Sequence, residues 1–356
     1  MSLILFFTLS IIPSVLGKTR GVHLSDYIYS NEIKGQGFEN GRGRLSEISF
    51  EATALALEIL DDLRRSAHDI DDLQTNLEEE INTMFNNDAV YLYDLYFLLR
   101  SLFFTQSDYQ LDGSLRNKIY QYLNDTEQVG GGFSYLNTTM SPNLSSTYFV
   151  VQIHSMLAPS KTLQNLAIHK NWILLQNNTD GGYGNTSSNL LSTYYAISIL
   201  DLLDSVNDLV NKSNTLSYLT SFYIDNPSDI DNVGGYLPDL TSKSALLSST
   251  YYCVMAISLI DESFLNVDKT TKWVLSRQYF QDGGFADITE GTDQLISSVI
   301  ASYSAIKTLT TFDPTLGKLA IDIWMVEFNF LILIILLGAI GLIAGIGVFI
   351  WRRRRI

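Results

Sequence analysis

Hydrophobic residues along this chain recur every three to four positions in two alternating sets of segments, the spacing that turns one stripe of an α-helix toward a core. One set is amphipathic: His23–Asn31, Asp69–Met84, Ser114–Leu123, Lys161–Gln176, Val206–Phe222 and Val267–Tyr279. The other is more apolar and rich in Ser, Thr and Tyr: Leu45–Leu60, Asp88–Phe103, Leu144–Met156, Leu190–Leu203, Leu246–Ile260 and Leu295–Leu309. The rhythm fails at the two ends, where Leu3–Ile12 and Phe330–Trp351 are uncharged, predominantly apolar runs.

Between the members of a pair stands a short turn motif: Gly131-Gly132-Phe133, Gly181-Gly182-Tyr183, Gly234-Gly235-Tyr236 and Gly283-Gly284-Phe285, at steps of about 50 residues. Gly37-Phe38 stands about two periods earlier, and Asn86-Asn87-Asp88 replaces the glycine turn in the unit between. Glycine takes a positive φ at a helix end without a Cβ penalty, and the aromatic can plug the gap beneath it. Asp180 and Asp282 precede the pair in two units, but Gly130 and Val233 stand there in two others, which points to a turn role for the aspartates. Six helix-pair units fill residues 18–311 as one repeat domain.

The ends place that domain. Residues 1–17, with small residues at Val15 and Gly17, are expected to be a signal peptide. After a juxtamembrane linker at 312–329, the uncharged run at 330–351 reaches the ~20 residues that span a bilayer as a helix. The tail at 352–356 begins with four arginines, which favour the cytoplasmic side and imply a single-pass type I protein with an extracellular or lumenal repeat domain. Gly341 and Gly345 form a small-residue spacing suited to weak dimerisation of the helix. Asn124, Asn137, Asn143, Asn177, Asn185 and Asn211 lie in glycosylation sequons.

The net charge is −15, and four of the positive charges sit in that tail, so the repeat domain has no basic footprint for nucleic acid, anionic lipid or polyphosphate. Cys253 is the only cysteine, so no intramolecular disulfide exists and the residue is expected to pack in the core.

Two units, Trp172-Ile173-Leu174-Leu175-Gln176 with Asp180-Gly181-Gly182-Tyr183, and Trp273-Val274 with Gln278 and Asp282-Gly283-Gly284-Phe285, resemble the repeat of protein prenyltransferase β subunits and related terpene cyclases. The resemblance covers about residues 22–310 and implies an all-α fold, an α6/α6 toroid with inner helices around a central cavity. In the zinc-dependent members an Asp-x-Cys pair and a His hold the metal. Here the corresponding stretches read Leu246-Leu247-Ser248-Ser249-Thr250 and Ile296-Ser297-Ser298, so no cofactor is expected, zinc included. The diphosphate-binding basic cluster also has no counterpart beyond Lys243.

Class II cyclases use an Asp-x-Asp-Asp acid, and Asp69-Ile70-Asp71-Asp72 has that form. At the start of an amphipathic segment, Asp69 is expected to cap a helix, with Asp71 and Asp72 favouring its dipole. Tyr91, Tyr93, Tyr96, Tyr148, Tyr194, Tyr195, Tyr251, Tyr252 and Tyr303 recur along the apolar set, and are expected to pack between helix layers rather than to line a cation-stabilising cavity. Asp287, Glu290 and Asp293 are carboxylates available for glycan chemistry, and Cys253-Val254-Met255-Ala256 is not a thioester segment. The functional expectation is a membrane-tethered binding or interaction module for a protein or apolar-lipid ligand; the alternative is an enzyme acting on an isoprenoid or other apolar lipid in the central cavity.

Overall fold

The computed structural model describes residues 18–41, 47–106, 109–136, 140–158, 163–288 and 295–321. The expected signal peptide, the transmembrane run, the tail, Gly341, Gly345, Asn137, Glu290 and Asp293 lie outside the described residues. Among the described residues no helix is long and apolar enough to cross a membrane.

Twelve α-helices are described: α1 Arg20–Ser30, α2 Phe50–Asp62, α3 Ile70–Asn86, α4 Leu92–Thr105, α5 Gly113–Thr126, α6 Leu144–Leu157, α7 Leu166–Leu174, α8 Leu190–Leu202, α9 Lys212–Thr220, α10 Leu247–Asp261, α11 Val267–Ser276 and α12 Val299–Phe312. The even-numbered helices, α2, α4, α6, α8, α10 and α12, pack each against the next, and α12 returns to α2, which closes an inner ring. The odd-numbered helices form an outer layer, with α3 on α4, α7 on α8, α9 on α10 and α11 on α12. This is an α/α toroid. Two antiparallel hairpins decorate it, β1 (Glu32–Ile33) with β2 (Gly37–Phe38), and β3 (Ala286–Ile288) with β4 (Leu295–Ser297).

Several expected boundaries move. Leu295–Ser297 pairs as a strand, and α12 begins only where Ser298 caps Ala301 N–H. The expected helix over Val206–Phe222 splits into a 3₁₀ turn, Val206–Asp208, and α9. Asp69 is a positive-φ residue without a side-chain cap bond, in contrast to the capping expected of it: in the left-handed conformation only its backbone carbonyl engages, from Leu73 N–H at 3.0 Å.

The repeat motif is a three-part lock. The first glycine has positive φ, as at Gly234 (φ +100°), where the carbonyl of Lys269 lies 2.5 Å from where a Cβ would stand. The second lies beneath an aromatic ring of the next outer helix: a Cβ would come within 2.8 Å of Trp172 at Gly132, 2.7 Å of Tyr218 at Gly182, 2.6 Å of Trp273 at Gly235 and 2.7 Å of Tyr27 at Gly284. The following aromatic is buried, and its N–H donates to an inner-helix hydroxyl in five units: Phe38 to Thr53 (2.9 Å), Phe133 to Thr147 (3.0 Å), Tyr183 to Thr193 (2.9 Å), Tyr236 to Thr250 (3.1 Å) and Phe285 to Ser302 (3.0 Å). Four turns are thereby tied both to their own inner helix and to the next outer one, and Tyr27 over Gly284 joins the last unit to the first. Asn40 completes that closure by accepting from Val299 N–H and Ile300 N–H.

The aspartates preceding two glycine pairs act in the turn, as expected. Asp180 accepts from Gly182 N–H (3.0 Å) and Asp282 from Gly284 N–H (2.9 Å). In the third unit the same donor, Gly132 N–H, goes to Nδ1 of buried His169 (3.1 Å), whose ring stacks on Phe133. Burial holds the His169 imidazolium down in pKa despite Glu127 beside it. Cys253 sits in the wedge between α8, α9 and α10 with Leu190, Leu219, Phe222 and Tyr236, fully buried, its thiol pushed up by desolvation.

The chain divides into two units. Leu24–Thr315 is the ring. In the other, made of residues up to His23 and from Leu316 onward, Arg20 N–H donates to the Ile321 carbonyl at 3.1 Å, and Gly317–Ala320 forms a 3₁₀ turn.

Candidate functional site: the axis of the ring

The hydroxyl that locks each turn is followed at once by the residue that faces the ring axis. Thr147-Tyr148, Thr193-Tyr194, Thr250-Tyr251 and Ser302-Tyr303 repeat this pair, and Tyr96 fills the same place on α4. These five tyrosines are buried and form a belt, with ring centroids 6.2 Å apart for Tyr96 and Tyr148, 6.0 Å for Tyr148 and Tyr194, 5.5 Å for Tyr194 and Tyr251 and 5.6 Å for Tyr251 and Tyr303. On α2 the place falls to Ala54, and Arg100, one helical turn beyond Tyr96, spans the gap. It donates to the hydroxyls of Tyr96 (3.1 Å) and Tyr303 (2.6 Å), with its guanidinium carbon 5.2 Å from the Tyr303 ring centroid. Tyr194 and Tyr251 share a hydroxyl–hydroxyl bond of 2.9 Å. The sequence led to the expectation that the tyrosines pack between the helix layers; the five of the belt instead turn inward, Tyr194 and Tyr251 bonded to each other and Tyr96 and Tyr303 to Arg100.

One turn toward the C-terminal ends of the inner helices lies an ionic group. Arg100 pairs with Glu58, and Lys307 bridges Glu58 (2.6 Å) and Asp62 (2.7 Å). Burial raises the Glu58 carboxyl, but Arg100 and Lys307 together outweigh it and hold the group ionised. Asp62, with Lys307 alone, is left raised by burial. An unpaired charge here would cost several kcal/mol, so the four residues stand or fall together.

Toward the N-terminal ends of the inner helices lies a second aromatic group, the bowl, whose outer rings are half-buried. Its rings are Tyr93, Phe97, Phe149, Tyr195 and Tyr252, with Tyr93 edge-on to Phe149 at 5.5 Å and Phe149 edge-on to Tyr195 at 6.0 Å. Tyr93, Tyr195 and Tyr252 are half-buried, and their phenols are raised mainly by burial, Tyr252 to about 12. Glu51 of α2 stands among them. Its carboxylate accepts from Tyr93 Oη at 2.6 Å, and burial, more than that bond offsets, raises its pKa. Sequence reasoning passed over Glu51, Glu58, Arg100 and Lys307. The available signal was a charged residue interrupting an apolar inner helix at a position in step with the tyrosine repeat.

The other singled-out residues lie elsewhere. Asp69, Asp71 and Asp72 are exposed at the start of outer helix α3. Of the sequons, Asn124, Asn185 and Asn211 are exposed, whereas Asn143 caps α6 and the Asn177 amide donates to the Gly181 carbonyl inside its turn. Tyr91 is half-exposed. Asp287 is half-buried and raised to about 6 by desolvation, against the hydrogen bond it accepts from Leu247 N–H at 2.9 Å and against Arg277.

A zinc ion would need thiolate, imidazole or carboxylate ligands together. The start of α10 offers Leu247 and Ser248, that of α12 Ser297 and Ser298, and among the described carboxylates nearby Asp287 is engaged by the α10 backbone and Asp282 by Gly284 N–H and the Ser297 hydroxyl. These residues do not fit the metal. Among the described residues no three of His, Cys, Asp and Glu gather elsewhere as a metal site.

The sequence matches the family model of the prenyltransferase alpha-alpha toroid domain over residues 3–184 and 63–290. No curated protein matches it. Among solved structures, protein geranylgeranyltransferase-I of Candida albicans in complex with GGPP is similar at a TM-score of 0.56 and 20% identity, covering 74% of this chain and 85% of that one. The type II terpene cyclase MstE of Scytonema, apo, is similar at 0.54 and 12%, covering 83% and 97%. A variant of that cyclase bound to geranylgeranyl dihydroxybenzoate is similar at 0.54 and 11%, covering 83% and 99%.

Proposed function

Since this chain belongs to the prenyltransferase alpha-alpha toroid family, we propose that it is a membrane-tethered, extracytoplasmic member in which the axis of the ring is a structural plug and the bowl above it a binding site. The belt of five buried tyrosines bridged by Arg100 carries this reading, because an enzyme that folds a long apolar chain needs an apolar cavity deep enough to exclude water. Two further features support it: the start of α10 lacks metal donors, and Lys243, exposed on a loop, is the only basic residue between Gly235 and Ser263. The tether rests on the apolar run at 330–351 and the arginines that follow it.

The test is native mass spectrometry, lipid extraction and metal analysis of the full chain purified in mild detergent, together with incubation with polyprenes and prenyl diphosphates. Chains free of stoichiometric isoprenoid and zinc, with no substrate consumed, are expected. One zinc per chain, or turnover of a prenyl compound, overturns the reading.

One observation favours an enzyme instead. Glu51 is a carboxyl raised by burial among π faces, placed to give a proton to an apolar ligand held in the bowl. On that reading the wild type consumes a polyprene and Glu51→Gln does not.

A further inference from the structure

In four of the repeat turns the second glycine donates its N–H to a nearby acceptor, and the acceptors differ in one chemical respect. Gly182 N–H goes to the Asp180 carboxylate (3.0 Å), Gly284 N–H to that of Asp282 (2.9 Å) and Gly235 N–H to the Asn232 carbonyl (2.9 Å). A carboxyl group keeps lone pairs for accepting even when protonated, and a backbone carbonyl does not titrate at all. Gly132 N–H goes instead to Nδ1 of His169 (3.1 Å). Because a backbone N–H can only donate, Nδ1 must carry a lone pair, and the ring must be neutral with its proton on Nε2. An imidazolium carries N–H on both nitrogens, so protonation would set two donors against each other.

The surroundings hold the ring in this arrangement. His169 is fully buried, and its ring stacks on Phe133 with centroids 4.6 Å apart. The charged group that faces it is Glu127, just beyond the end of α5, whose carboxylate lies 3.3 Å from Nε2 and also accepts from the Asn165 amide at 2.7 Å. From α6, His154 lines a cleft together with Tyr120, Glu127 and Phe133. On α7 itself, Lys170 is bonded to Asp208. The tip of the turn makes little contact of its own: Val129 is exposed, and a Cβ at Gly130 would meet nothing within 4 Å. A proton on His169 therefore strengthens the attraction to Glu127 and leaves the buried Gly132 N–H without its acceptor.

We propose that His169 is an acid-released latch, in which protonation of the imidazole frees Gly132 and opens the third repeat turn while the turns at Gly182, Gly235 and Gly284 stay shut. The direction with pH follows from linkage. Burial disfavours the charged ring in the closed turn, whereas an opened turn exposes a ring that titrates near the ordinary imidazole value of about 6.5. The open form then binds more protons, so the latch is intact above about pH 6.5 and weakens as pH falls below it.

The experiment is hydrogen-exchange mass spectrometry on the full chain in mild detergent at pH 7.5 and 5.5. Exchange in residues 128–134 is divided by that in 178–184 and 280–286 at the same pH, which cancels the intrinsic pH dependence of the chemistry. The ratio should rise by about tenfold at the lower pH. His169→Gln, whose amide oxygen accepts a hydrogen bond without titrating, should abolish the rise, and Glu127→Gln should retain it. A ratio that does not change with pH, a rise that persists in His169→Gln, or one that vanishes in Glu127→Gln overturns the proposal. The comparison of turns within the wild type needs no variant, so a substitution that fails to fold leaves the test intact. Ligand binding and prenyl turnover play no part in this readout, so the latch stands or falls separately from the binding-module reading.

Discussion

At the rim of the ring, four units place a glycine pair under an aromatic ring of the next outer helix, and five tie the following aromatic to a Ser or Thr hydroxyl. At the axis the same repeats begin alike, with five tyrosines in register, and then diverge: Ala54 breaks the belt, Arg100 bridges it, and Glu51 stands alone among rings. The rim repeats because each of these units meets the same kind of neighbour in the same geometry. The axis is shared by all six units at once, so it cannot be filled by six copies of one side chain, and the departures from the repeat are where its chemistry lies.

The sharpest challenge to this contrast is Arg100→Met. It leaves Glu58 with Lys307 alone and two belt hydroxyls without their donor, and should cost about 3–5 kcal/mol in chemical denaturation. Adding Glu58→Met should recover part of the loss, since the two residues are in contact. A single-variant loss below about 1 kcal/mol would mean that the axis is not held by this pair.

At the rim, Gly234→Ala meets both a positive φ and the Lys269 carbonyl, and should destabilise by about 2–4 kcal/mol. Gly130→Ala, with nothing within 4 Å of its Cβ, should change stability by about 0.5 kcal/mol or less. Similar effects at the two positions would remove the rim's claim to special geometry.

The smallest effect concerns Asp287, raised to about 6 in the fold, against about 3.9 in an unfolded chain. Its contribution is fully present below about pH 4 and is lost as pH rises through about 6, because only the folded state still holds the proton between those values. Asp287→Asn should therefore flatten the pH dependence of stability in that window by on the order of 2 kcal/mol, leaving the slope above pH 7 unchanged.

The ring itself was legible in sequence because its determinants are local. Glycine pairs, the buried aromatic after them and the apolar periodicity of Leu144–Leu157 and Leu190–Leu202 each announce themselves within a few residues. Asp180 and Asp282 also follow from their place in the turn. The axis was less legible because it is assembled from residues far apart in the chain: Arg100 meets Tyr303, and Glu51 meets Tyr93. Helical spacing tells that tyrosines share a face but not whether it meets the outer layer or the centre, and here it meets the centre. Asp69 shows a second limit, since its residue type favours a cap but its left-handed backbone turns that role over to the carbonyl.

The clasp between the last unit and the first, Tyr27 over Gly284 and Asn40 on the start of α12, carries a consequence for how the chain reaches this state. An open array of repeats can grow from any point, fray from either end and survive the loss of a terminal unit, and it protects its exposed ends with specialised caps. A closed ring has no ends to fray or protect. Its last contacts join residues that are almost the whole domain apart in sequence, so the entropy of closing that loop falls on a single late step. The bond from Arg100 to Tyr303, which bridges the break in the belt, joins the first units to the last, which makes it a record that the circle has shut.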